Sequence, residues 1–510
     1  MPSTYNGVEN NTHPSWWKDP GLRWNVLWVM TTAMGQVVGG YDGSLMNALQ
    51  AVPKLFEAFP RLEDSNILGV TSALLFLPGL VVPFLAAWLA DTVGRKIPIL
   101  VGMSGVVAGG IIQATAQNLG QFMAGRFVMG TFSCIGAVGG LSLCAELSHP
   151  RFRSQATSMQ ISVYYVGSIL SSWVTYGCLQ HLPDSHWSWR APVLIQCAFP
   201  AIMLGFLIFI PESPRWLIAK GRTEEARKIF AKQHANGDEN DPLVNLEVEE
   251  VHIALDAERS NKTGWSALWA TKGNRKRMFI VITTAAGAQL NGVGIISYYF
   301  VPVLKSVGIT SYLSQSLISG GMSISNLFFA VAAALLVERL GRRTLWLAST
   351  GMMLITLVIV TVLSAEFQKG ESPAIGGATI AFLYLFYAGY DLAWSPLNSA
   401  YTVEILPYTI RAKGLAVWNS VTYVTLCINT WVNPVALSAI GYYYYIVYIG
   451  ILTYLCLIIY FVYPETRGRT LEEVAEVFDK DSPLTSHHHE DIEGLGNKGG
   501  DVEMYEGKEN

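Results

Sequence analysis

The sequence predicts an all-α integral membrane protein, with twelve transmembrane helices arranged as two six-helix halves. Three observations predict it. The 510 residues are 51% apolar and only 14% charged, whereas a soluble globular chain is about 25% charged. The apolar residues gather into twelve runs, each near the ~20 residues that a helix needs to cross the hydrocarbon core. One polar connection alone is long, and it divides the runs six and six.

In chain order the runs lie near 24–49, 67–90, 97–115, 121–144, 157–178, 190–210, 278–303, 313–337, 344–364, 375–400, 412–435 and 440–463. Residues 1–22 make a polar N-terminal segment, 23–210 the first half, 211–277 the central loop, 278–463 the second half and 464–510 a tail. The central loop is rich in Glu, Lys, Arg and Asn, and Thr223–His234 reads there as a short amphipathic helix lying in water. Before the first run stand Trp16, Trp17, Lys18 and Asp19, with none of the basic start, short apolar core and small-residue cleavage site of a signal peptide. The first run is therefore expected to stay in the membrane. After about Phe478 the tail is nearly free of apolar residues and reads as disordered. His487, His488 and His489 lie in it without a second ligand cluster, so no metal site is assigned.

Net charge of −4 and a pI near 6.2 point away from a nucleic-acid partner. The six cysteines (Cys134, Cys144, Cys178, Cys197, Cys427, Cys456) are scattered through apolar runs and support neither a disulfide framework nor a zinc site. No nucleophile–base set or nucleotide loop stands out, so neither an enzyme nor a cofactor is expected.

Lysine and arginine placement sets the orientation. The short loops after runs 2, 4, 8 and 10 hold Arg95, Lys96, Arg151, Arg153, Arg339, Arg342, Arg343, Arg411 and Lys413, while the opposite side holds only Lys54, Arg61, Lys305 and Lys369. Both termini and the central loop are therefore expected in the cytoplasm. The sequons at Asn10 and Asn261 then lie on the wrong side for glycosylation.

The two halves repeat each other. Asp91-Thr92-Val93-Gly94-Arg95-Lys96 recurs as Glu338-Arg339-Leu340-Gly341-Arg342-Arg343. Glu146 with Arg153 recurs as Glu404 with Arg411, and Pro211-Glu212-Ser213 as Pro464-Glu465-Thr466. The offsets of 247, 258 and 253 are those of a parallel duplication. Two facing repeats suit alternating access, in which the halves rock about a site near the membrane midplane.

Gly94-Arg95-Lys96, Gly125-Arg126, Glu146 to Arg153, Pro211-Glu212-Ser213-Pro214-Arg215-Trp216 and the string Pro464-Glu465-Thr466-Arg467-Gly468-Arg469-Thr470-Leu471-Glu472-Glu473 resemble signatures of the sugar porter family of the major facilitator superfamily. The likeness covers about residues 20–480. A narrower likeness, to fungal lactose and cellobiose permeases, rests on Lys18–Arg23, His234–Val244, Ser297-Tyr298-Tyr299, Glu404–Gly414 and Trp431-Val432-Asn433-Pro434. There are departures: Ala87 stands for the usual first Gly of the loop motif, helix 7 reads Ala288-Gln289-Leu290-Asn291-Gly292 in place of paired Gln, and Gln160 falls seven residues after Arg153 instead of eight.

The resemblance implies the major facilitator fold and a sugar transporter working as a plasma-membrane monomer, with a sugar, protons and lipid as its partners. Proton-coupled import of a disaccharide or hexose is the leading expectation. A proton-independent facilitator and a transporter-like sensor that signals without net transport are the alternatives.

Buried charge is the most informative feature inside the spans, because each such residue costs about 2.5–3.5 kcal/mol to insert. Helix 1 carries Asp42 and helix 4 carries Arg126. In proton-coupled sugar porters the matching residues form a coupled pair, and the resemblance implies the same here. A carboxylate that loses its arginine in a dry cavity takes up a proton; alternatively the pair simply pins helix 1 to helix 4. Asp391 lies mid-helix 10, three residues before Trp394 and on the same face. It is either a second titrating group or hydroxyl acceptor, or a structural aspartate.

Sugar contacts carried over by position are Gln160, Gln289, Asn291, Tyr298, Tyr299, Asn326, Trp394 and Tyr423. Amides both donate to and accept from hydroxyls, and Trp394 offers a flat face to the C–H side of a sugar. Each single aromatic equally serves helix packing. Pro396 is expected to weaken helix 10 locally. Gly35, Gly39, Gly136 and Gly140 have the small-xxx-small spacing of close helix contacts. At the cytoplasmic ends, Asp91, Arg95, Glu146, Arg153 and Glu212 match Glu338, Arg342, Glu404, Arg411 and Glu465. They are expected to act as a gate that pairs across the halves in the outward-open state and parts in the inward-open state, the alternative being topology anchoring by the positive-inside rule.

Overall fold

The computed structural model describes residues 3–5, 8–153, 156, 160, 162–260, 264–370, 372–467 and 477–478. Helix 1 spans Pro20–Leu49, helix 3 Lys96–Ala114, helix 4 Leu119–Leu147, helix 5 Tyr164–His181, helix 8 Tyr312–Leu340, helix 9 Arg342–Gly370, helix 11 Tyr408–Ile440 and helix 12 Tyr443–Val462. Four spans are broken. Helix 2 consists of Ser65–Ala73, Leu77–Leu80 and Val82–Val93, and helix 6 of Trp187–Ile195 and Ala198–Leu207. Helix 7 consists of Lys272–Leu290 and Val293–Ser306, and helix 10 of Pro373–Ala393 and Leu397–Ile405.

Local chemistry explains the boundaries. Asp19 caps helix 1, its carboxylate accepting from Leu22 N at 3.0 Å, and Pro20 holds the first helical position. Asn118 caps helix 4 and Thr271 caps helix 7, each accepting from the backbone three residues on. Helix 7 breaks at Gly292, whose φ of +94° only glycine adopts freely. Helix 10 breaks where Pro396 removes a backbone donor, as the sequence leads one to expect.

Among the described residues, nine helices are long and apolar enough to cross a membrane. Helices 1, 2 and 5 fall outside that group. Helix 1 carries Gln36, Asp42, Ser44 and Asn47, helix 2 is interrupted, and the described part of helix 5 is rich in Ser and Thr. Helices 1 and 5 line the central cavity, and polar lining lowers their hydropathy. Large apolar side chains remain on the outside, Phe209 at 70% and Phe461 at 75% exposure among them, as a surface bathed in lipid demands.

Each half packs its own core. Phe59, Phe122 and Trp189 cluster in the first, and Trp346, Trp394, Tyr401 and Tyr463 in the second. The close approaches differ from the expected glycine pairs. A Cβ built on Gly35 or Gly39 meets nothing within 4 Å, whereas one on Gly40 falls 1.9 Å from Tyr164 O and one on Gly167 falls 2.0 Å from Val37 O. Helix 1 therefore closes on helix 5 through Gly40 and Gly167. Gly136 does sit at a tight crossing, against Gly102 of helix 3, and Gly140 lies at ordinary distance from helix 1. The sequence spacing could not choose among neighbouring glycines, because each lies on a different side of its helix.

The central loop folds into helices Pro214–Ala219, Thr223–His234 and Pro242–Ser260 around Leu217, Ile218, Phe230, Val244 and Val248. A short antiparallel hairpin, Ser3–Tyr5 with Val8–Asn10, precedes helix 1. The strings Lys18–Arg23 and His234–Val244 interlock here. Asn236 Nδ2 donates to Asp19 Oδ2 at 2.8 Å, Asn236 Oδ1 accepts from Gly21 N at 3.0 Å, and Asn11 N donates to Asp241 Oδ2 at 2.8 Å. Burial pushes the Asp19 carboxyl up, but bonds from Leu22 N, Asn236 and His13 N outweigh it and hold the group below its usual range. Asn10 is 2% exposed and donates to His234 O at 2.9 Å, so its side chain is occupied. Asn261 and the His487–His489 run lie outside the described residues.

Candidate functional site

A cavity of about 270 Å³ lies between the halves. Helices 1 and 5 of the first half supply Gln36, Ser44, Asn47, Tyr165, Ser168 and Ser172. Helices 7, 8 and 10 of the second supply Gln289, Ser297, Tyr298, Ser323, Asn326, Tyr387, Tyr390 and Trp394. The wall is thus built of hydroxyls, amides and aromatic rings, the chemistry that a polyhydroxylated ligand requires.

Four of the predicted contacts meet at this wall: Gln289, Tyr298, Asn326 and Trp394. Asn326 Oδ1 is buried and accepts no hydrogen bond among the described residues, so it is free to take a donor from a ligand. Trp394 is fully buried, its Nε1 donating to Thr350 Oγ1 at 3.2 Å and its ring standing edge-on to Trp346 with centroids 4.5 Å apart. Those contacts fix the indole plane, and Gly287 gives it room, since a Cβ there would fall 2.8 Å from the ring.

The other four are placed elsewhere. Asn291 terminates the first part of helix 7, its Oδ1 accepting from Val293 N at 3.1 Å. Tyr299 turns away from the cavity and donates to Thr430 O at 2.5 Å. Tyr423 packs against Gly79 of helix 2, 4.0 Å from Cys134 Sγ of helix 4. Gln160 is buried at 3% exposure and lies off the wall. The kink after Gly292 separates residues on helix 7 that an unbroken helix would have aligned.

Asp391 accepts from Tyr165 Oη at 2.5 Å, and Tyr165 also lies 3.2 Å from Ser395 Oγ. This contact joins helix 5 of one half to helix 10 of the other, immediately beside the cavity. Beneath it, Ser323 bridges to Ser168 at 3.2 Å and to Ser172 at 3.3 Å. Asp42 is 4% exposed and neither carboxylate oxygen has a hydrogen-bond partner among the described residues. Arg126 donates instead to Thr71 O at 2.9 Å. The two charges interact through space, without a direct hydrogen bond between them.

Asn47 and Gln50 pin the ends of helix 1 and helix 7 together. Phe300 N donates to Asn47 Oδ1 at 3.0 Å, and Gln50 Nε2 donates to Tyr298 O at 2.7 Å. At the opposite end, the charged residues pair within each half; the cross-half pairing is expected of the outward-open state alone. Arg95 binds both oxygens of Glu146, at 3.1 and 3.2 Å, and Arg342 lies 3.0 Å from Glu404. Glu212 accepts from Arg95 N and Lys96 N at the start of helix 3, and Glu465 accepts from Arg342 N and Arg343 N at the start of helix 9. Ser213 donates to Glu146 and Thr466 donates to Glu404. Asp91 is exposed, 3.1 Å from Arg95. Arg153 pairs with Glu247 of the central loop at 3.6 Å, and Arg411 donates to Leu406 O at 3.1 Å. The Glu338 side chain lies outside the described residues. Glu212 and Glu465 each cap a helix of their own half, where unsatisfied N–H groups attract a carboxylate, while Glu146 and Glu404 each hold the arginine side chain at that same helix start.

The family model described as "Sugar (and other) transporter" matches residues 28–478. The chain belongs to that family. Among curated proteins, it is 29% identical over 470 residues to an MFS-type transporter, oryC, of Aspergillus oryzae, covering 90% of this chain and 87% of that one. It is 26% identical over 483 residues to the sugar transporter STL1 of Saccharomyces cerevisiae, covering 91% and 83%. The inward-open xylose transporter XylE of E. coli superposes with a TM-score of 0.74 at 21% identity, covering 89% of this chain and 99% of that one. The chain is therefore a multi-pass membrane transporter with the major facilitator fold, and its relatives are transporters, not enzymes.

Sequence reasoning passed over Ser44, Asn47, Tyr165, Ser168, Ser172 and Ser323. A signal was present. Tyr165, Ser168 and Ser172 fall at i, i+3 and i+7, and Ser319, Ser323 and Asn326 at i, i+4 and i+7. Such stripes put polar groups on one face of an otherwise apolar helix.

Proposed function

We propose that this chain imports a sugar across the plasma membrane by alternating access, coupled to proton entry, with both termini and the central loop in the cytoplasm. The observation that carries the reading is the hydroxyl- and amide-lined cavity between the halves, with Asn326 Oδ1 left without a partner. Sugar hydroxyls satisfy such groups, and Trp394 and Tyr298 supply ring faces. The names of relatives support it, among them a yeast galactose transporter and low-affinity glucose transporters. The likeness of Lys18–Arg23, His234–Val244 and Trp431–Pro434 to strings of fungal lactose and cellobiose permeases favours a disaccharide over free glucose, and a monomer suffices, since both cavity walls come from one chain.

Proton coupling rests on Asp42. A carboxylate enclosed without a hydrogen-bond donor is costly as an anion, and a proton removes that charge. The proton:xylose symporter XylE, solved with 6-bromo-6-deoxy-D-glucose, shares this fold with a TM-score of 0.71. In our reading the present conformer faces inward: Asn47 and Gln50 seal the outer end, and the cytoplasmic charges are held within their halves.

Cells without their own sugar carriers, expressing the chain and offered labelled mono- and disaccharides, test this. Accumulation that collapses with a protonophore supports symport. Equilibration without accumulation supports a facilitator, and binding or signalling without uptake refutes transport.

A further inference from the structure

A second cavity, of about 710 Å³, opens on the flank of the bundle, where the first turns of helix 1, the end of helix 6 and the loop helix Thr223–His234 meet. Its wall is aromatic. Trp24 and Trp28 stack with centroids 5.4 Å apart, and Phe206 and Phe209 face them across the groove. Trp24 is 54% exposed and Phe209 70% exposed. Its mouth is basic. Lys228 and Lys232, one turn apart, line it from the loop helix. Neither ammonium has an ion-pair partner among the described residues; the nearby Glu225 is held by Arg222 at 2.5 Å.

Helix 1 and helix 6 here leave the bilayer, so the groove straddles the boundary between hydrocarbon and water. Tryptophan favours that level, and lysines reach from it toward charge. An apolar trough continuous with two unpaired cations complements a molecule with a hydrocarbon chain and an anionic head. We propose that this groove binds one anionic phospholipid of the cytoplasmic leaflet, its phosphate and carboxylate on Lys228 and Lys232 and an acyl chain along Trp24, Phe206 and Phe209. The leaflet follows from the orientation proposed above. A bound lipid ties the loop helix to helices 1 and 6.

Native mass spectrometry of the purified full chain tests the site, titrating phosphatidylserine and phosphatidylcholine of matched acyl chains. The native protein is expected to retain one phosphatidylserine preferentially. A lysine near a charged membrane surface contributes about fivefold in affinity, so Lys228→Gln with Lys232→Gln should weaken phosphatidylserine retention about thirtyfold and leave phosphatidylcholine unchanged. Lys272→Gln, an exposed lysine of the other half, should change neither. Phe209→Ala should weaken both lipids. The proposal is overturned if the double variant retains phosphatidylserine like the native chain, or if Lys272→Gln loses it equally. It is also overturned if Phe209→Ala has no effect, or if glycerophosphoserine, which lacks the chains, displaces the lipid as well as intact phosphatidylserine does.

Discussion

Replacing Asp391 with Asn tests the contact that joins the halves beside the cavity. In this conformer Tyr165 Oη donates to Asp391 Oδ1 at 2.5 Å, while Oδ2 is buried without a partner. Asparagine preserves the shape and an accepting oxygen but cannot carry charge or a titrating proton. A hydrogen bond to a charged group is worth about 1.5–3 kcal/mol and a neutral one about 0.5–1.5. For an ionised Asp391 the loss is therefore about 1–1.5 kcal/mol, roughly a tenfold shift of the conformational equilibrium away from the state seen here. Uptake of the transported sugar, measured from pH 5 to 8 (about the range in which proton coupling is read), should fall about tenfold or lose its pH dependence. Tyr165→Phe should act in the same direction. An Asp391→Asn variant with native uptake and a native pH profile would refute the reasoning, because it would show a carboxyl that stays protonated and serves structure alone.

Three further outcomes follow from the charged end of the bundle. Glu146→Gln removes the charge bound by both nitrogens of a half-buried Arg95, and thermal unfolding in detergent should show a loss of about 1–3 kcal/mol. Gly94→Ala forces a side chain at φ +99°, with its Cβ 2.4 Å from Glu212 Oε2; a loss of at least about 1 kcal/mol is expected in the same assay. His149 is 1% exposed, and burial, followed by His234, Arg151 and Arg153, pushes it down to about 2. Its unfolded form binds a proton below about pH 6.5 and the folded form does not, so its contribution to stability is present above that pH and is lost as pH falls below it. His149→Gln should accordingly flatten the decline in melting temperature between about pH 6.5 and pH 4.

Much of this protein was determined by its sequence alone. Low charge and twelve apolar runs settle a membrane helix bundle, because only helices and closed barrels satisfy backbone groups in lipid, and continuously apolar runs of about 20 residues fit helices and not the short alternating strands of a barrel. The repeated Gly-Arg, Glu and Pro-Glu strings settle two equivalent halves. Gln289, Tyr298, Asn326 and Trp394, carried over by position from the family resemblance, do line the cavity. Only tertiary structure decided which residues face one another. Gln289 and Tyr298 line the cavity while Asn291 and Tyr299 turn away from it, on either side of the break at Gly292 and beside the non-helical backbone of Tyr299. Glu212 and Glu465 turned to the helix starts of their own halves, and Tyr165 met Asp391 across a distance of 226 residues in sequence. Helical periodicity fixes the face of a single helix; the rotation of that helix against its neighbours is set by where glycines such as Gly40 and Gly167 let the backbones touch.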